Sequence, residues 1–374
     1  MAPRTLNSGH FRNLNAVRLM LALLVVLSHS VVLCWGTNDR EFLFRGSNGY
    51  ESFGAIAVDG FFLISGMLIT ASWFRCGSLR VFLYRRILRI YPAFIVALLF
   101  GAGVAFGFSP AFRLQVHGIG YALSLVRDAL LLGTSTVSHP GAFQHNPLAG
   151  VVNGSLWTIN QEFRCYLLVA LLGVFAFLDR RKSVLFASAL FWVLYARDIL
   201  HSHQPWVSDF RLLCFFLVGM VAWLYRDKLV LSTRGAAIAA VILLATLRFS
   251  PWFSLALPLA GSYLLLWIGT GPAWKGWQWT NRSDLSYGVY LYAFPIQQIV
   301  ASVPALRSPV WNLALAIPLT MACAALSWHL VEKRFLALKD GVRRPRKPMV
   351  EKVRQATLAA ELTSEREQPV PAES

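Results

Sequence analysis

The sequence predicts an all-α polytopic membrane protein: a bundle of about ten transmembrane helices with both termini in the cytoplasm. Three observations carry that prediction. Of 374 residues, 56% are hydrophobic and 14% charged, and the mean hydropathy of +0.53 is too apolar for a soluble globular domain of this length. The apolar residues gather in runs able to cross a hydrocarbon core of about 30 Å. Lysine and arginine collect in alternate connections between those runs, as cytoplasmic loops require. The net charge of +17 is therefore topological. It forms no single face or aromatic-interleaved patch, and nucleic acid is excluded as a partner.

The runs predict helices at 15–35, 54–74, 90–108, 156–178, 184–200, 209–225, 235–249, 253–270, 285–303 and 310–331. Arg4 and Arg12 precede the first, and Arg75, Arg80, Arg85, Arg86 and Arg89 separate the second from the third. Arg180, Arg181 and Lys182 follow the fourth, Arg226, Lys228 and Arg234 the sixth, Lys275 and Arg282 the eighth, and Lys333 and Arg334 the tenth. The connections on the other side are poorer in positive charge. One of them, 109–155, is long, and "YALSLVRDALLLG" within it predicts a surface-lying helix. The chain divides into a cytoplasmic segment 1–14, a transmembrane domain 15–336 and a polar, disordered cytoplasmic tail 337–374. The first run lacks a cleavage site and is expected to be a retained helix. Five scattered cysteines imply neither a disulfide framework nor a metal site, and His117, His139 and His145 in the long connection have no zinc spacing.

Candidate functional residues stand out because ionisable groups are costly at membrane depth. In "VRLMLALLVVLSHS", Arg18 and His29 are eleven residues apart, a net rotation of about 20°, so they share one helix face roughly 16 Å apart along the axis. Counting inward from the helix ends puts His29, Asp59 and Glu162 at one depth, where a carboxylate could orient an imidazole acting as general base. Bland readings stand beside this. His29 could be a neutral buried hydrogen-bonding group, and Asp59 a cap on its helix near the lipid headgroups. In "FLYRRILRIYP", Arg86 and Arg89 point the same way from a helical turn, with Arg85 beside them, and could hold phosphates; the alternative is ordinary positive-inside charge. Arg164 is either a counter-ion within the bundle or a substrate contact.

These segments carry a resemblance. "RLMLALLVVLSH" holds an Arg-x10-His pattern, "VDGFFLISGMLI" a Phe-Phe-x-x-Ser-Gly segment, "RRILRIYP" an Arg-x-x-Arg loop, and "GSLWTINQEF" a Ser-Leu-Trp-x-x-x-x-Glu element. With "LSYGVYLYAFPIQQ" and "WHLVEKRF", in that order over about residues 11–336, the chain resembles membrane-bound acyltransferase family 3, which includes bacterial O-acetyltransferases of O-antigen, exopolysaccharide and Nod factor. The resemblance implies a ten-helix core in the inner membrane that moves acetyl or another acyl group from cytoplasmic acyl-CoA, a donor substrate and not a resident cofactor. The acceptor it implies is a carbohydrate or lipid-linked glycan hydroxyl. It also implies that His29 is the key catalytic residue and that Arg86 and Arg89, together with Arg18, hold the CoA end. His29 could then deprotonate the acceptor directly or carry the acyl group itself. Asn160-Gln161, where relatives often have Pro-Tyr, and Arg334, where they often have Pro, depart from the pattern and leave acceptor specificity open. The SGNH hydrolase-like extension of some relatives is not expected. A transporter or flippase for a lipid-linked glycan is the alternative class, although no internal repeat is visible.

Overall fold

The computed structural model describes residues 4–6, 13–116, 118–202, 210–272 and 274–341. Arg12, His117 and all of the expected tail beyond residue 341 lie outside the described residues. In chain order the helices are α1 (Leu14–Trp35), α2 (Phe42–Gly46), α3 (Phe53–Cys76), α4 (Leu79–Phe108), α5 (Pro110–Gln115), α6 (Ile119–Leu131), α7 (Trp157–Val174) and α8 (Arg181–Ser202). They continue with α9 (Arg211–Leu224), α10 (Thr233–Thr246), α11 (Trp252–Ala256), α12 (Ser262–Gly269), α13 (Ser286–Ser302), α14 (Pro309–Ser327) and α15 (Lys333–Ala337). Two-residue strands β1 (Arg4–Thr5) and β2 (Val230–Leu231) pair antiparallel.

Each expected membrane segment falls on a helix. Six helical stretches are long and apolar enough to cross a membrane: Leu14–Trp35, Phe53–Cys76, Leu79–Phe108, Arg181–His201, Trp252–Gly269 and Pro309–Ala337. Arg211–Leu224 and Thr233–Thr246 are shorter apolar helices. The protein is a multi-pass helical membrane protein. The largest boundary difference is at the helix expected from residue 90, which begins at Leu79 and takes in the helical turn expected for the arginines. Arg85, Arg86 and Arg89 all lie within α4, which is continuous from Leu79 through Pro92.

Close packing follows from small residues and from a proline whose lost hydrogen bond is replaced. α3 and α9 cross at Gly66 and Gly219, where an added Cβ would run into the Phe216 and Leu63 carbonyl oxygens respectively. Only glycine lets two backbones approach that closely. In α13, Pro295 has no N–H to give the Leu291 carbonyl. Asn153 Nδ2 donates to that carbonyl instead, at 2.9 Å. Gln297 Nε2 then donates to Val26 O at 2.8 Å, which locks α13 against α1.

Hydrogen bonds tie the connections into two sets. At one end β1 meets β2, Asn13 Nδ2 donates to Pro272 O (2.8 Å) and Asn15 Nδ2 to Thr280 O (3.2 Å). At the other, Asn48 Nδ2 donates to Arg248 O (3.0 Å), and Gln298 Nε2 to Leu148 O (2.9 Å) and Val151 O (2.6 Å). The first set is the arginine-rich one.

The long connection overturns the expectation of a surface-lying helix. α6 doubles back along α4: the Tyr91 hydroxyl donates to Leu130 O at 3.0 Å. Tyr91 lies seventeen residues before the Phe108 end of α4, roughly 26 Å down its axis. The turn at the bottom is sewn by Asp128, which accepts from Thr136 N (2.7 Å), Thr136 Oγ1 (2.8 Å) and Ser135 Oγ (2.9 Å). Irregular backbone at such depth is tolerated only when protein surrounds it, and Thr136, Val137, Val152 and Asn153 are all buried. α7 starts from this re-entrant segment. Its Asn160 Nδ2 donates to Leu131 O at 2.8 Å, so α7 begins well inside the bundle.

Candidate active site

Among the described residues, one cavity of the bundle holds the arginines of α1 and α4 and is termed inner, and another holds His29 and is termed outer. The inner one, about 290 Å³, is lined by Arg18, Arg86, Arg89, Glu162, Tyr166 and Asp284 among others. Asp284 Oδ2 accepts from Arg18 Nη1 at 2.6 Å and from Arg89 Nη2 at 2.7 Å. Arg89 Nη1 also reaches Glu332 Oε2 at 3.3 Å, and its guanidinium sits 5.2 Å from the Tyr287 ring centre. Burial works against the charged form of Asp284, but the Arg18 and Arg89 guanidiniums outweigh it and hold the carboxyl below the usual carboxylate range.

Arg86 is placed differently. It forms no ion pair among the described residues. Its Nη2 is 3.5 Å from Ser72 Oγ, its guanidinium lies 5.7 Å from the Tyr166 ring centre, and its buried Nε has no partner. Tyr166 in turn donates to Glu162 Oε1 at 2.6 Å, where the Ser65 hydroxyl also donates at 3.0 Å. The Phe-Phe-x-x-Ser-Gly segment thus divides its labour: Ser65 holds Glu162, and Gly66 admits α9.

The outer cavity, about 640 Å³, is lined by His29, Ser155, Gln161, Arg164, Arg211 and Phe294 among others. The His29 ring stands edge-on to Phe294 with centres 5.0 Å apart, and its buried Nδ1 has no hydrogen-bond partner. Ser155 Oγ and Arg211 Nη1 are likewise buried and unpartnered. Buried polar groups are normally satisfied, and the three residues that carry these atoms all line this one cavity, a setting that suits a polar ligand. Val58, Phe62 and Tyr290 line both cavities, so these side chains stand between the two.

The expected residues divide between the two sites. Arg18 and His29 do share a face of α1, one reaching each cavity. The single level of His29, Asp59 and Glu162 does not hold. Glu162 is bonded to Ser65, six residues and about 9 Å further along α3 than Asp59, because α7 starts deep in the bundle and depth counted from its first residue is misjudged. Asp59 does not orient His29 and does not cap its helix. Ser52 is the N-cap of α3, and Asp59 is clamped by Arg211, with Nε to Oδ1 at 2.9 Å and Nη2 to Oδ2 at 2.6 Å. Arg211 Nη2 also meets Glu51 Oε2 at 2.6 Å, and Glu51 Oε1 accepts from Ser254 Oγ at 2.6 Å. Arg85 lines neither cavity; its Nη1 lies 3.6 Å from Cys76 Sγ. Of the departures noted, Gln161 lines the outer cavity whereas Asn160 serves the re-entrant turn.

Sequence reasoning missed Asp284, Glu332, Tyr166 and Arg211. Asp284 directly precedes "LSYGVYLYAFPIQQ" and Glu332 lies within "WHLVEKRF", so both stood beside resembling motifs. Arg211 had its own signal, as a cation opening an apolar run on the side where positive charge is scarce.

Residues 11–329 match the family model described as an acyltransferase domain. The chain belongs to acyltransferase family 3. It is an enzyme, an acyltransferase, and the transporter alternative gives way. This acyltransferase is 31% identical over 349 residues to an O-acetyl transferase of Shigella phage Sf6, covering 86% of this chain and 95% of the relative. It is 27% identical over 366 residues to Nodulation protein 10 of Rhizobium leguminosarum bv. viciae, covering 90% and 96%. No solved structure matches the acyltransferase.

Proposed function

We propose that this acyltransferase moves an acyl group, most simply acetyl, from cytoplasmic acyl-CoA to a hydroxyl of a surface or exported carbohydrate, working as a ten-span protein of the bacterial inner membrane with both termini inside. The observation that carries the reading is that only Val58, Phe62 and Tyr290, which line both, stand between the arginine-lined cavity and the His29 cavity among the described residues. The positive-inside pattern assigns the arginine-rich end to the cytoplasm, where acyl-CoA is found. The name of the phage relative supports acetyl as the group, and the family resemblance supports a carbohydrate as acceptor.

On this reading the CoA phosphates meet Arg86, whose guanidinium has no carboxylate to satisfy it, while Arg18 and Arg89 are held as a rigid pair by Asp284. The pantetheine arm passes Phe62 and Tyr290 and brings the thioester to His29. The imidazole takes the acceptor hydroxyl proton as the oxygen bonds to the thioester carbonyl carbon. The C–S bond then breaks, and the CoA thiolate leaves with the proton returned by the imidazolium. In a covalent acyl-histidine route the imidazole nitrogen would attack the thioester and release CoA before the acceptor hydroxyl attacks the acyl-imidazole and frees the histidine, and ping-pong kinetics distinguishes it. The direct test is the acyl content of surface glycans from cells with and without the gene, paired with label transfer from acetyl-CoA in their membranes. Identical acyl content and no label transfer would overturn the reading.

A further inference from the structure

We propose that Arg211 is the acceptor-holding donor of the outer cavity, its Nη1 donating to a neutral hydroxyl oxygen of the bound carbohydrate beside the hydroxyl that reacts. The proposal rests on the carbohydrate reading above. A guanidinium has five N–H donors. Three are committed, Nε–H to Asp59 and the pair on Nη2 to Asp59 and Glu51, leaving the two on Nη1 without a partner in a side chain that is 5% exposed. Asp59 and Glu51 come from the start of α3 and the loop before it, and Ser254 fixes Glu51 from α11. The fork is therefore held rigidly at the cavity that His29 lines.

Charge selects the ligand. One guanidinium faces two carboxylates, so the cluster has no positive charge to spare for a phosphate or carboxylate. A neutral oxygen suits it. In the rest of the wall Ser155 Oγ lacks a partner, Gln161 supplies an amide, and Trp157, Phe62 and Phe294 supply aromatic surface, a mixture matching a sugar ring with its hydroxyl edges and apolar faces; Arg164 adds a cation, so the neutral contact is assigned to Arg211 and not to the whole cavity. Asp59 and Glu51 act through Arg211 and are positioning residues.

Two variants test this. Arg211→Lys keeps a cation for the carboxylates but loses the fork. The triple variant Glu51→Gln/Asp59→Asn/Arg211→Met removes all three charges together, so that no buried carboxylate is stranded. Transfer from labelled acetyl-CoA to the host's own membrane glycan fraction is measured while donor and acceptor are each varied, and acetyl-CoA binding reports folding. The expected result is an acceptor KM raised about tenfold or more, with the acetyl-CoA KM within about twofold of the unsubstituted enzyme, as loss of one hydrogen bond to a charged group produces. An unchanged acceptor KM in either folded variant overturns the proposal, and so does a fall in kcat alone, which would move the contact to the thioester carbonyl. Loss of acetyl-CoA binding in both variants gives Arg211 a purely structural role and overturns it too. No transfer by the unsubstituted enzyme overturns the carbohydrate reading, and this role with it.

Discussion

His29, Arg86 and Asp284 differ in what surrounds them, and each difference sets an expected outcome. His29 has a buried Nδ1 without a partner, so replacing the ring breaks no hydrogen bond of that nitrogen and loses the edge contact with Phe294. His29→Ala should lower transfer by about 10² to 10⁴, the usual contribution of a general base, with acetyl-CoA binding retained; calorimetry and label transfer on the same preparation check this, and near-normal turnover would end the catalytic reading. Arg86→Ala should raise the acyl-CoA KM by roughly 10- to 100-fold, as loss of a charged hydrogen bond implies, and Arg86→Lys should recover part of it. An unchanged donor KM would return Arg86 to a topological role. Asp284, held below the ordinary carboxylate range by its two arginines, stays ionised across neutral pH. A depressed native pKa stabilises the fold above the unfolded value of about 3.9 and ceases to do so as pH falls through the native value. The Asp284 charge should thus give donor affinity no pH dependence between about pH 5 and 8, and a steep change there would assign that dependence to another group, such as Glu332 on Arg89. Much of this site was legible at the residue scale. Arg18, His29, Arg86 and Glu162 all reach a cavity. Their partners were not, since pairings such as Arg18 with Asp284 join residues 266 apart in sequence and depend on which helices are neighbours.

Elements read well wherever hydrophobicity alone decides them, and all ten apolar runs are helices because a lipid-embedded backbone must satisfy its own hydrogen bonds. The connection 109–155 was misread for the same reason. "YALSLVRDALLLG" has the periodicity of an interfacial helix, and only its contact with Tyr91 shows that it descends. Helix crossings are equally invisible in composition, yet the α3–α9 crossing is among the most constrained features of the bundle. Gly219→Ala forces a methyl group against the Leu63 carbonyl, a backbone atom that cannot rotate away. It should destabilise by about 1–3 kcal/mol, in the range of an overpacked core, and lower the Tm of the purified protein. Gly103→Ala, where a Cβ meets nothing within 4 Å, should not. Equal melting of the two variants would show that the crossing tolerates more than its geometry allows.

On the scale of the whole molecule, the two sets of connections assign opposite sides of the membrane, and single cysteines can read them out. Arg40 and Arg75 are both exposed, near the outer end of α1 and the inner end of α3. In a cysteine-free background, Arg40→Cys should react with an impermeant maleimide in intact cells and Arg75→Cys only after permeabilisation; the reverse would invert the proposed orientation and move acyl-CoA to the wrong end. The clamp between Asp59 and Arg211 also has a meaning in time. The two residues are 152 positions apart, and a ribosome adding about 5 to 20 residues per second needs roughly 8 to 30 s to reach the arginine after making the aspartate. During that interval α3 must wait at the insertion machinery, or enter the bilayer with its carboxylate protonated, until α9 arrives. A ribosome stalled between the two codons would leave behind a membrane fragment carrying an acid without the arginine that pairs with it in the folded enzyme.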